Sequence, residues 1–329
     1  MWLRITWLDV LGGHWGCSVV EAAKQAQQPQ PIGVLGASSM VGQCVLSQVT
    51  QAYGSVYAFS RKATGLQAVA GNGVIWQQIP MAPGKASQGG KVIPYWICIA
   101  PIATLPAHFA WLEARGVKRI VALSSTSRFT KDTSSDLLEQ NIAQGLVNAE
   151  SQLQTWAESR GIEWVVLRPT LIYQPGQDKN VSEIARFIRR FGFFPVLGKA
   201  HGLRQPIHAA DVANACVAAL HSPTVANRAY NISGGETLPY RSMVGRIFAA
   251  QGRRARVLSV PLWMFKLAVT LLRCLPRYRQ WSAAMAERMN RDLVFDHTEA
   301  ARDFGFQPRV FTLEPENIPL SSPQLLSNK

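Results

Sequence analysis

The chain has 329 residues, 47% of them apolar, enough to bury a large core as one big α/β domain or two smaller ones. Its net charge of +14 argues for an anionic partner, and no apolar run reaches the roughly 20 residues that a membrane-spanning helix needs. The five cysteines, Cys17, Cys44, Cys98, Cys216 and Cys274, form no C-x-x-C pair and the six histidines show no metal-ligand spacing, which argues against a disulfide scaffold or a metal centre and for reduced thiols in a cytoplasmic protein.

In chain order, residues 1–30 are apolar and Trp-rich at first, then polar, with no small-residue cleavage pattern, and read as an N-terminal extension. The segment Pro31 to Thr50 is the first organised piece. Ile32, Val34 and Leu35 read as a short buried strand, Gly36 to Gly42 as a sharp turn, and Val41 to Val49 as a helix. Such a turn presents backbone N–H groups and the positive end of a helix dipole, which suits a phosphate or pyrophosphate. A second strand, Gly54 to Lys62, ends in Ser60, Arg61 and Lys62. Trp96 to Pro101 reads as a third strand opening onto a loop, Phe109 to Arg115 as a helix, and Val117 to Ser125 as a strand ending in hydroxyl side chains. This alternation predicts a Rossmann-type doubly wound parallel sheet. Gly36, Arg61, Ala100 and Ser124 then share the rim at the carboxyl ends of the strands, where such sheets bind ligands.

Gly36-x-x-Ser39-x-x-Gly42 resembles the opening motif of the short-chain dehydrogenase/reductase superfamily, in its extended, epimerase/dehydratase-like branch, which usually has a third glycine where Ser39 stands. The resemblance continues in Gly161 to Gly176, with Arg168-Pro169-Thr170 beside the nicotinamide place. It extends through His208-Ala-Ala-Asp-Val-Ala213 and Tyr230-Asn-Ile-Ser-Gly-Gly235. It implies an NAD(P)-binding Rossmann domain over 31–235, with a substrate-lobe insert at about 174–203, and a C-terminal substrate lobe and tail over 236–329. It also implies a cofactor site at Gly36, Ser38, Ser39, Met40, Val41, Gly42, Arg61, Lys62, Ala100, Pro101, Ser124, Arg168, Pro169 and Thr170. The Ser39 hydroxyl is placed to donate to a phosphate. Basic Arg61 and Lys62, at a strand end where an acidic residue would bind ribose hydroxyls, favour NADP(H) over NAD(H).

The family's catalytic Tyr-x-x-x-Lys works because positions i and i+4 share a helix face, letting the ammonium lower the phenol pKa. In the helix Glu139 to Ser159 those places fall on Gln144 and Asn148, neither of which titrates near neutral pH. Two readings follow. One is an atypical oxidoreductase, epimerase or dehydratase that uses Ser124, Ser125 or Tyr173 instead. The other is a non-catalytic NADP(H)-binding scaffold, sensor or assembly factor.

The second half carries the charge, with 21 Lys/Arg against 10 Asp/Glu over 179–329. Asn180 reads as the N-cap of a helix to Phe191, closed by Gly192, and Arg190 on it, with Arg204 and His208, is a substrate candidate. Asp211 reads as a capping or hydrogen-bonding residue. The apolar stretch after Pro261, edged by Arg277 and Arg279, suits an interface or a subunit contact. The expected partners are a small molecule, a nucleotide sugar or lipid-linked intermediate, together with a peripheral anionic membrane contact and a second copy of the chain. Nucleic acid is not expected, because the aromatics are not interleaved with the charges.

Overall fold

The computed structural model describes residues 30–52, 55–61, 73–79, 91–134, 136–261, 263–264 and 288–313. The N-terminal extension, Lys62, most of the apolar stretch after Pro261 and the polar tail lie outside them.

Seven parallel strands among the described residues form the central sheet, in the order β11-β6-β5-β4-β1-β2-β3. They are β1 (Ile32–Leu35), β2 (Val56–Ser60), β3 (Val74–Gln78), β4 (Tyr95–Cys98), β5 (Arg119–Leu123), β6 (Glu163–Pro169) and β11 (Arg228–Ile232). β1, β2 and β5 are buried at every residue. Continuous apolar runs of this kind are what a parallel sheet covered on both faces requires. Strand order reverses between β1 and β4, the kind of switch point at which open α/β sheets bind ligands.

On one face α1 (Met40–Ala52) packs against α6 (Ala209–His221). Val41, Val45 and Val49 form its buried stripe, and the facing Ala209, Ala213 and Ala219 are small enough for close approach. On the other face lies α4 (Leu137–Ser159), with Leu153, Trp156 and Ala157 in the core. A cluster of Phe59, Trp96 and Trp111, with ring centroids 4.9–5.2 Å apart, fills that face. Gly33 makes room for it, since a Cβ there would fall 2.5 Å from the Trp96 ring.

A second lobe has its own core, made by α5 (Val181–Phe191), the ribbon β8 (Phe194–Leu197) with β13 (Val257–Val260), α7 (Tyr240–Ala250) and Phe311. Short pairings join the lobes: β7 (Ile172–Tyr173) with β10 (Ile207–His208), and β9 (Leu203–Arg204) with β12 (Leu238–Pro239). The chain then returns to the first lobe, where Ala300, on α8 (Thr298–Phe304), and Phe306 enter the core behind α6.

One local expectation changes. Asn180 opens α5 without a side-chain cap. Asp178 does that work instead, its carboxylate accepting from the N–H of Asn180 at 2.7 Å and of Ser182 at 3.1 Å. Gly192 does close the helix in the left-handed conformation, at φ 76°.

Candidate active site

The β1–α1 turn is built around Gly36, at φ 82°. Its N–H and that of Ala37 donate to the carbonyl of Phe59 at 3.0 and 3.1 Å. A Cβ at Gly36 would lie 2.6 Å from the Ala100 nitrogen, and one at Gly42 would lie 2.5 Å from the Gly36 oxygen. The turn therefore tolerates only glycine at both places. Ser39 is the helix cap: its Oγ donates to the Gly36 carbonyl at 2.8 Å and accepts from the Gly42 N–H at 3.1 Å. The hydroxyl expected to meet a phosphate is thus turned inward and used by the turn itself. Met40 and Val41 open α1, so their N–H groups have no intrahelical acceptor, which leaves a cradle that fits a pyrophosphate.

Ser38 lies beside that cradle, its Oγ 2.8 Å from the Ser60 Oγ at the end of β2. Arg61 follows, exposed. After β4, Ala100 and Pro101 lead into a 3-10 turn over 102–108. The rim thus brings together Gly36 to Gly42, Arg61 and Ala100–Pro101.

Beyond them the rim is held by a buried carboxylate that composition and motif spacing did not single out. Glu150, 6% exposed on α4, accepts from the Ser124 hydroxyl, from Arg128, and from Arg168 through Nε at 3.1 Å and Nη2 at 2.6 Å. Both guanidinium groups also lie over the Phe129 ring, at 5.0 and 5.4 Å. Ser125 Oγ accepts from the Ser127 N–H at 3.1 Å, at the start of α3 (Ser127–Thr130). Pro169 and Thr170 serve the backbone: the Pro169 carbonyl accepts from Thr126, and Thr170 Oγ1 donates to the Gln205 carbonyl at 2.5 Å. Next to Glu150 opens a polar cleft of about 570 Å³, lined by Arg128, Phe129, Asp132, Gln140 and Gln144 among others. Gln144 and Asn148, exposed on α4, are hydrogen-bonded to one another at 2.7 Å. The arrangement can hold and orient an anionic or hydroxyl-rich ligand, but those two amides offer no proton at neutral pH.

The remaining candidates lie elsewhere. Tyr173, 1% exposed, sits in the core of the second lobe, edge-on to His208 and Phe311 at centroid distances of 5.1 and 4.9 Å. Burial pushes its phenol pKa up, against the Thr312 backbone, so it is a core tyrosine and no partner of Ser124. His208 caps α6, its Nδ1 accepting from the Ala210 N–H at 3.1 Å, and burial and Arg309 lower its pKa. Asp211, read from sequence as a capping or hydrogen-bonding residue, does the second: its carboxylate holds the Arg309 guanidinium and backbone N–H at 2.9–3.1 Å. Arg204, 4% exposed, donates to the carbonyls of Leu203, Arg288 and Arg291 at 2.5–2.8 Å and lies over the Tyr240 ring, so it braces the lobe rather than facing a substrate. Arg190 is exposed over Phe191, off the rim. No cluster of metal-ligating side chains is found among the described residues.

Residues 108–233 match the model of the NAD dependent epimerase/dehydratase family. The UDP-glucose 4-epimerase of Vibrio cholerae is 24% identical over 160 residues, covering 49% of this chain and 46% of that one. The chain spans about half the length of the curated relatives it matches. Among solved structures, the UDP-glucuronic acid 4-epimerase of Bacillus cereus, in complex with UDP-glucuronic acid and NAD, superposes with a TM-score of 0.63 at 16% identity over 86% of this chain and 95% of that one. The protein MoeE5, in complex with UDP-glucose and NAD, gives 0.61 at 18% identity over 87% and 95%. At these identities the superpositions establish the fold.

Proposed function

We propose that this chain, whose residues 108–233 are a domain of the NAD dependent epimerase/dehydratase family in the extended short-chain dehydrogenase/reductase superfamily, binds NADP(H) along the strand rim and acts on a phosphate-bearing small molecule without a Tyr–Lys proton relay. The observation that carries this reading is the β1–α1 turn, in which both glycines are sterically required and the Met40 and Val41 N–H groups, at the start of α1, have no intrahelical acceptor. A bound nicotinamide would supply the hydride chemistry. Met40 and Val41 would hold the pyrophosphate, Arg61 a 2′-phosphate, and Arg128 the substrate in the cleft beside Glu150. NADP(H) rests on Arg61, whereas two relatives in the comparison carry NAD in their complexes. The substrate class is a nucleotide sugar or a lipid-linked intermediate, as for the UDP-sugar complexes of those relatives.

A second reading, a nucleotide-binding scaffold or sensor without turnover, is favoured by one observation. The Ser124 and Ser125 oxygens are engaged, and Gln144 and Asn148 satisfy each other.

Calorimetric titration with NADPH, NADP, NADH and NAD tests the proposal. NADPH is expected to bind tightest, and Arg61→Ala to weaken NADPH by about tenfold to a hundredfold, the loss of a charge-assisted contact, while leaving NADH unchanged. Binding by none of the four overturns the nucleotide reading. Tight NADPH binding with no hydride transfer to any UDP-sugar in a panel moves the protein to the second reading.

A further inference from the structure

The second lobe carries a face that the rim chemistry does not use. At the end of α5, Phe191 is 40% exposed, and across the β8–β13 ribbon Leu258 is 49% exposed. Trp263 and Met264 follow in the chain, 68% and 44% exposed. Phe194 N donates to the Arg256 carbonyl at 3.0 Å, which fixes the segment after α7 beside the end of α5. Between them a groove of about 540 Å³ is lined by Phe193, Arg241, Arg256 and Leu258 among others.

Exposed arginines frame these apolar side chains. Arg190, Arg254 and Arg256 form no ion pair among the described residues. Arg253 donates to the Ile188 carbonyl at 3.2 Å, and Arg241 to the Ser259 Oγ at 3.1 Å. Those acceptors are neutral, so the positive charge stays uncompensated. The two described segments that carry these side chains contain no acidic residue: none from Ile184 to Ala210, and none from Thr237 to Pro261.

We propose that this face docks on an anionic lipid surface, the arginines meeting phosphate headgroups and the Trp263, Met264, Leu258 and Phe191 side chains entering the headgroup boundary. A two-fold contact with a second copy would set arginines against arginines, which costs free energy. Nucleic acid would use the charges and an aromatic ring, but it leaves exposed Leu258 and Met264 in water. A bilayer takes both kinds of side chain. In sequence, the stretch beyond Met264 continues apolar with Lys266, Arg273, Arg277 and Arg279 at its edge, the same chemistry.

Vesicle co-sedimentation of the full chain tests this. Binding is expected to vesicles of phosphatidylcholine mixed with phosphatidylglycerol, and it should be weak to phosphatidylcholine alone and fall as ionic strength rises. The double variant Arg254→Gln/Arg256→Gln should bind about thirtyfold more weakly, from the loss of two surface arginines. Trp263→Ser should lower binding too, with circular dichroism and Tm unchanged in both variants. Equal binding to neutral and anionic vesicles, wild-type affinity in either variant, or no vesicle binding each overturns the proposal. Binding to duplex DNA without vesicle binding assigns the face to nucleic acid instead.

Discussion

Gly36 and Gly145 are both glycines on the way to the rim, and they behave oppositely for reasons a ruler can check. At Gly36 an added methyl would be held at φ 82° and pressed to 2.6 Å from the Ala100 nitrogen. At Gly145, inside α4, an added methyl meets nothing within 4 Å. Gly36→Ala is therefore expected to destabilise the fold by about 1–3 kcal/mol and to abolish nucleotide binding. Gly145→Ala should stabilise by about 0.5–1 kcal/mol with binding intact. Urea titrations of both variants, with calorimetry, check the pair, and equal effects would sink the claim that Gly36 shapes the cradle. Gly36 was legible in the sequence because a turn between a strand and a helix announces itself locally. Glu150 was not, although it sits in the Asn148-Ala149-Glu150 run. Its weight comes from Ser124, Arg128 and Arg168, which only the fold delivers to it.

At the scale of elements, α6 shows how a residue read as a substrate candidate serves a helix end. His208 caps α6 through Nδ1, is packed edge-on to Tyr173, and faces Asp211 and Arg309. Its pKa is lowered, first by burial and then by Arg309, with Asp211 opposing. A base with a depressed folded pKa contributes full stability above its unfolded value, about 6.5, and loses it as pH falls through the folded value. Protonation would also consume the nitrogen that accepts the Ala210 N–H. Melting temperatures measured from pH 8 to 5 should fall more steeply for the wild type below about pH 6.5 than for His208→Asn, whose amide caps without titrating. Parallel curves would show that the imidazole is not the titrating cap. Most elements were readable in advance. β1, β2, β4 and β5 are apolar runs bounded by turn residues, and α5 ends at a glycine. β3 was not read: it is an edge strand whose Ile75 is 44% exposed and whose Trp76-Gln77-Gln78 end lacks a strand pattern. The N-cap of α5 went to Asn180 by proximity, because the reach of the Asp178 carboxylate back over the helix start depends on how the preceding loop folds.

For the whole molecule the question is what keeps the second lobe registered on the first, because the cleft beside Glu150 lies near that seam. Two arginines do much of this, and a third stiffens the second lobe behind them. Arg309 is clasped by Asp211, Arg288 by Glu139, and Arg204 reaches the carbonyls of residues 203, 288 and 291. Sequence alone assigned Arg204 to a substrate, since an arginine in a basic lobe near a ligand insert invites that reading. Its 4% exposure and its three carbonyl acceptors reassign it to structure. Burial even lowers its pKa, to about 10, with Arg288 adding to the effect and Tyr240 and Asp292 opposing. The two assignments predict different behaviour. If Arg204 braces the lobe, Arg204→Leu takes a charged donor from three carbonyls and should cost about 1–3 kcal/mol, even though the Leu203 and Arg288 carbonyls keep the N–H groups of Leu293 and Arg291. NADPH affinity should change little, because Gly36, Met40, Val41 and Arg61 belong to the other lobe. If Arg204 instead grips a substrate, the variant keeps its Tm and loses only substrate affinity. Thermal unfolding together with NADPH titration of this one variant separates the two, and a Tm unchanged within a degree would return Arg204 to the substrate.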